Sequence, residues 1–179
     1  MLTQALSFVI DTLIGFLTVL LLLRFYMQAL RVSFANQIGA FVVQLTNWLV
    51  KPLRRLLPGL FGLDLASLLP AYLLQVLLLL ALLAMRGGFA LIAPETLIVM
   101  VLWQALLATV RISLYLLIGA LFLQAILSWV NPYSPLSQPL TQLTRPFLDP
   151  LRRFVPTIAG IDLAPLVAIL LAQLVLIFV

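Results

Sequence analysis

Few side chains in this sequence could do chemistry. Cysteine and histidine are both absent from its 179 residues, which removes thiolate nucleophiles, imidazole bases, disulfides and the usual zinc ligands. Five carboxylates remain, Asp11, Asp64, Glu95, Asp149 and Asp162, and they are scattered along the chain. No glycine-rich phosphate loop or serine-based triad accompanies them. The sequence therefore predicts a protein without catalytic, cofactor or metal sites, and the polar residues that remain call for structural or binding roles.

Asp64 and Asp162 each stand before Leu-Ala and an apolar run. That is the pattern of a helix N-cap, whose carboxylate accepts from backbone N–H groups at the positive end of the helix. The alternative role is to face one another and hold a cation or the nearby arginine pairs. Asp11 and Arg111 fall near equivalent ends of two apolar stretches and could pair inside the membrane, where a lone charge costs about 2.5 to 3.5 kcal/mol; otherwise each would snorkel to headgroups. Arg24, Gln28 and Arg31, four and three residues apart, would share one helix face. Gln124 answers Gln28 in a later segment, whereas Ala120 stands where Arg24 would be. Gln75 and Gln173 lie about 16 Å into their apolar runs and are expected to hydrogen-bond between helices, or to line a pore if one exists.

The elements that must position these residues are apolar. Hydrophobic residues make up 65% of the chain and charged residues only 8%, against about a quarter charged in soluble domains. Ten basic residues against five acidic ones give a net charge of +5. These cations sit beside long apolar runs, so anionic lipid headgroups, not nucleic acid, are the expected counter-charge.

Four membrane crossings are predicted, making this an all-α membrane protein. The first covers Asp11 to Arg31 and has no basic leader before Arg24, so it reads as a retained span. The second, Leu65 to Met85, stops at Arg86-Gly87-Gly88. Residues 95–130 would make a single helix of about 53 Å, too long for one upright crossing. Ile112 to Val130 is expected to cross, with 94–110 as its extended or bent outer part. Leu163 to Val179 is the fourth. Between crossings lie two segments of another kind. Ile38, Phe41, Val42, Leu45, Trp48, Leu49 and Leu53 recur at helical spacing, with Lys51, Arg54 and Arg55 largely opposite. Leu140, Leu143, Phe147, Leu151 and Phe154 do the same against Arg145, Arg152 and Arg153, with Pro146 and Pro150 expected to kink or divide the helix. Both segments read as interfacial, and the six cations as contacts for lipid or a partner.

The chain repeats itself. A shift of 98 positions lays Gln44–Gln75 on Gln142–Gln173, with about 15 identities in the 32 pairs. Gln44-Leu45-Thr46, Pro52-Leu53-Arg54-Arg55, Pro58 and Gly62-Leu63-Asp64-Leu65-Ala66 find their counterparts in Gln142-Leu143-Thr144, Pro150-Leu151-Arg152-Arg153, Pro156 and Gly160-Ile161-Asp162-Leu163-Ala164. Halves 1–93 and 94–179, with two crossings each, insert in the same orientation. The amphipathic segments then share one side, cytoplasmic by its basic excess, and both termini face the periplasm.

The paired Pro-Leu-Arg-Arg and Gly-(Leu/Ile)-Asp-Leu-Ala blocks, with Asn131-Pro132-Tyr133-Ser134-Pro135 before the second, resemble the YggT family of bacterial membrane proteins. The resemblance covers nearly the whole chain. It implies a bacterial inner-membrane protein without established chemistry, and relatives associated with osmotic-stress survival, cell-division gene neighbourhoods and, in plastids, cytochrome cofactor assembly. Residues and resemblance together predict a non-enzymatic scaffold, assembly or osmotic-stress factor. It would grip the cytoplasmic leaflet and engage membrane protein partners or copies of itself. The alternative is a small channel or an auxiliary transporter subunit.

Overall fold

The computed structural model describes residues 1–57, 63–87, 93–131, 133–155 and 162–179, except for the Leu56 side chain. Pro58, Gly62, Gly88, Pro132, Pro156, Gly160 and Ile161, named above in the repeat blocks and turns, lie outside the described residues. The described residues form six helices in order: α1 (Leu2–Ala29), α2 (Gln37–Leu56), α3 (Leu65–Met85), α4 (Pro94–Val130), α5 (Ser137–Arg152) and α6 (Ala164–Phe178). Among the described residues there is no strand.

Among the described residues three helices, α1, α3 and α4, are long and apolar enough to cross a membrane. The fourth expected crossing is the shorter α6, whose 15 residues rise about 22 Å, less than a hydrocarbon core of about 30 Å. α1 starts nine residues before the expected Asp11, because Leu2 to Ile10 hold no proline or glycine that would stop a helix. α4 is one helix of 37 residues, about 55 Å long. Pro94 opens it where a missing N–H costs nothing, and no later proline interrupts it. α5 likewise stays one helix over Ser137–Arg152 with Pro146 and Pro150 inside it, so of the expected kink or division the prolines do not divide it.

The helix ends show how the chain turns. α1 closes with the Arg31 N–H donating to the Gln28 carbonyl at 3.1 Å and the Val32 N–H to that of Met27 at 2.8 Å. This is a Schellman ending. Arg31 holds the left-handed position at φ 55°, where glycine would be unstrained. Arg31 thus lies beyond the helix, so it does not continue the helical face of Arg24 and Gln28 as expected. α2 opens at Asn36, whose Oδ1 accepts from the Gly39 N–H at 2.8 Å.

Packing mirrors the repeat. α1 packs on α3 and α2, α4 packs on α6 and α5, and α3 on α4 joins the halves. In the first half Leu21, Leu22, Val50, Ala66 and Ala71 form the buried core. Leu121, Leu148, Ala164 and Ala168 form the second. Val50 and Leu148, like Ala66 and Ala164, are 98 positions apart, so equivalent residues fill equivalent cores. Met27, Val32 and Leu143 make a third cluster that ties the end of α1 to α5.

Candidate functional site

The polar residues converge where each amphipathic helix meets its bundle. In the first half, Pro52-Leu53-Arg54-Arg55 ends α2, and helical spacing leaves Arg54 facing the start of α3. Arg54 grips Asp64 with two donors, Nη2 to Oδ2 at 2.5 Å and Nε to Oδ1 at 3.3 Å. The same Nη2 donates to Gln28 Oε1 on α1 at 2.8 Å. Ser67 Oγ donates to Asp64 Oδ2 at 2.7 Å. One carboxylate thus links α2 to α3, and one guanidinium links both to α1.

Asp64 stands at the N-cap of α3, but its side chain accepts no helix N–H there. The expected capping bond is replaced by Arg54 and Ser67, because a guanidinium offers two charged donors to a carboxylate that is only 4% exposed. The second half repeats the pair with a difference. Arg152 Nε and Nη2 meet Asp162 Oδ2 at 2.9 and 2.8 Å. Asp162, 30% exposed, also accepts from the Ala164 N–H at 2.9 Å. Each carboxylate therefore holds the arginine of its own half, ten residues back in both cases.

Deeper in the first half lies Arg24, buried on α1. Its Nη1 donates to Thr46 Oγ1 at 2.7 Å and Asn47 Oδ1 at 3.1 Å, both on α2. Its Nε has no partner among the described residues. Arg24 therefore does not snorkel out to headgroups. Two neutral acceptors hold its charge, within electrostatic range of Arg54 and Asp64. Thr144, 98 positions after Thr46, meets the Gln124 side chain instead. The same hydroxyl thus anchors an arginine in one half and an amide in the other.

Other residues separate. Gln75 Nε2 donates to Thr18 Oγ1 at 3.0 Å, a buried bond between α3 and α1. Gln173, its repeat partner, is exposed on α6, so the two glutamines line no common path. Asp11 and Arg111 do not pair; Arg111 Nη2 instead donates to the backbone oxygen of Val179 at 2.6 Å, and Asp11 is exposed on the outer part of α1. α1 packs on α3 more than on α4.

The basic set also divides. Arg54 and Arg152 turn to carboxylates while their side chains stay 44% and 41% exposed. Arg145 pairs with Asp149 one helical turn on, at 3.0 Å. Lys51, Arg55 and Arg153 are exposed, without an ion pair among the described residues. α2 carries three cations and no acid, whereas α5 has Asp149 in the place of Lys51. Among the described residues no group of three acids gathers as a metal site would require. What the arrangement does chemically is clamp: each amphipathic helix is locked to its bundle by an arginine and a carboxylate, with cations left on its outer side.

Sequence reasoning overlooked Thr18, Thr46, Asn47, Ser67 and Thr144 as partners. The signal available for two of them was Thr46 and Thr144 at matched places in the Gln-Leu-Thr block.

Known proteins resemble the chain along most of its length. The family profile described as CCB3/YggT matches residues 3–85 and 103–179, two segments that agree with the tandem repeat. An uncharacterized protein of Vibrio alginolyticus is 37% identical over 92% of this chain and 87% of its own. An uncharacterized protein of Pseudomonas aeruginosa is 35% identical over 97% and 87%. The uncharacterized protein YggT of Escherichia coli K12 is 34% identical over 96% and 87%. No solved structure matches.

Proposed function

Since the chain belongs to the CCB3/YggT family, we propose that it is a non-enzymatic protein of the bacterial inner membrane that grips anionic lipid and serves as a scaffold. Its α2 and α5 helices lie on the cytoplasmic leaflet, both termini face the periplasm, and the clamped helices present a surface to membrane partners or a second copy. Roles in osmotic stress, cell division or cofactor assembly fit such a scaffold and remain expectations from the family resemblance.

One observation carries the reading. The two clamps fix amphipathic helices whose exposed cations, Lys51, Arg55 and Arg153, have no carboxylate to satisfy them among the described residues. A basic amphipathic helix with Trp48 or Phe147 exposed on its apolar side is built to sit with its rings in the acyl boundary and its cations among phosphates. The channel alternative draws no support from Gln75 and Gln173, which face Thr18 and the exterior respectively.

The test is lipid retention by the full chain purified in mild detergent. Replacing Lys51, Arg55 and Arg153 by Gln removes about 3 kcal/mol of attraction at about 1 kcal/mol per cation, so co-purifying anionic lipid should fall while the fold persists. Native-level retention by the triple variant would refute the lipid grip. Cross-linking in native membranes that recovered neither another protein nor a second copy would refute the scaffold.

A further inference from the structure

Two apolar grooves lie side by side around α4 and share three lining side chains. The first runs between α1, α4 and α5, encloses about 240 Å³ and is walled by Tyr26, Leu30, Val110, Leu117, Ala120 and Phe147. The second runs between α4, α5 and α6, encloses about 370 Å³ and is walled by Leu114, Leu117, Phe147, Pro150, Ala172 and Val175. Leu114, Leu117 and Phe147 border both. The grooves exist because Ala120 and Ala172 offer only methyl groups where larger side chains would close the gaps.

Their dimensions and lining select the occupant. On α4 the first groove extends from Val110 to Ala120, ten residues or about 15 Å. That is half of a hydrocarbon core of about 30 Å, the depth of one leaflet. No charged side chain lines either groove. The Ser113 hydroxyl in the first is already spent on the Thr109 carbonyl at 2.9 Å. Apart from the Tyr26 phenol in the first, both grooves present hydrocarbon. A helix of a second copy is about 10 Å across and needs one continuous trough, whereas Leu114, Leu117 and Phe147 stand between these two. Two slender chains joined at one end suit two grooves that share these side chains. Both grooves reach α5, where Arg152 and Arg153 mark the polar side.

We propose that the two grooves bind one diacyl glycerophospholipid, its acyl chains straddling Phe147 and its phosphate at the level of α5. The site rests on the reading that α5 lies at headgroup depth, but it does not need the exposed cations Lys51, Arg55 and Arg153.

The test uses the full chain in zwitterionic phospholipid vesicles doped with a phospholipid carrying a diazirine on one acyl chain. After irradiation, adducts are mapped by peptide mass spectrometry. Several-fold enrichment on Leu114, Leu117 and Phe147, relative to Leu73 and Leu77 exposed on α3, is expected. Replacing Ala120 and Ala172 by Leu should abolish the enrichment. Even labelling of all exposed apolar faces would overturn the proposal, as would enrichment that persists in a folded double-leucine variant. Chain-to-chain cross-links through a photoreactive residue at Phe147, in place of lipid adducts, would overturn it too. If the double-leucine variant does not fold, the wild-type adduct map decides alone. The failure of the lipid-grip reading looks different: the Lys51, Arg55 and Arg153 variant would keep its anionic lipid while groove labelling stays as it was.

Discussion

Arg54 and Asp64 form a two-contact ion pair at 2.5 and 3.3 Å, and Arg152 forms its counterpart with Asp162 98 positions later. The two differ in burial, the carboxylates being 4% and 30% exposed. Removing a buried carboxylate strands charged donors, which costs about 2 to 3 kcal/mol, whereas a more exposed pair is worth about 1 kcal/mol or less. Asp64→Asn should therefore lower thermal stability in detergent well beyond Asp162→Asn. Equal losses would show that burial does not set the strength of the clamps.

The two glutamines at repeat-equivalent positions should behave differently. Gln75 bonds Thr18 between helices, and such bonds in membrane bundles average about 0.6 kcal/mol. Gln75→Leu should cost stability of that order by unfolding in mixed micelles, and Gln173→Leu should cost none. A matching loss at Gln173 would contradict the placement of that side chain on the exterior.

Arg31 is a candidate for stabilisation. Its φ of 55° burdens any residue with a Cβ by about 1 kcal/mol. Arg31→Gly should melt above Arg31→Ala, a comparison that holds the charge loss constant. If alanine equals glycine there, the left-handed ending is not what α1 adopts.

Periodicity alone exposed much of the fold. The apolar runs gave α3 within its bounds, and the three- and four-residue spacing of Phe41, Leu45 and Trp48 gave α2. The repeat was legible because Pro-Leu-Arg-Arg and Asp-Leu-Ala occur twice at one offset. The site was less so. An arginine on the polar face of an amphipathic helix reads as a headgroup contact, since nothing local marks that Arg54 reaches Asp64 ten residues on. Yet the same ten-residue interval recurs from Arg152 to Asp162, and that was the available clue. Arg24 escaped for another reason: its partners are neutral Thr46 and Asn47, 22 and 23 residues away, and hydroxyls carry no sequence pattern that identifies a cation's partner. The missing Asp11 and Arg111 pair shows the limit of placing charges by depth alone, because depth does not say which face of a helix a residue occupies.

The claim that both clamped amphipathic helices lie on the cytoplasmic leaflet is tested most directly by single cysteines, which the native chain lacks. Gln44 on α2 and Gln142 on α5 are exposed and 98 positions apart, and Thr96 is exposed at the far end of α4. With an impermeant thiol reagent on intact bacterial cells, Thr96→Cys should label at once, and Gln44→Cys and Gln142→Cys only after the membrane is opened. Labelling of either glutamine position in intact cells would contradict the account: both would invert the protein, and one alone would mean that the two halves insert in opposite directions.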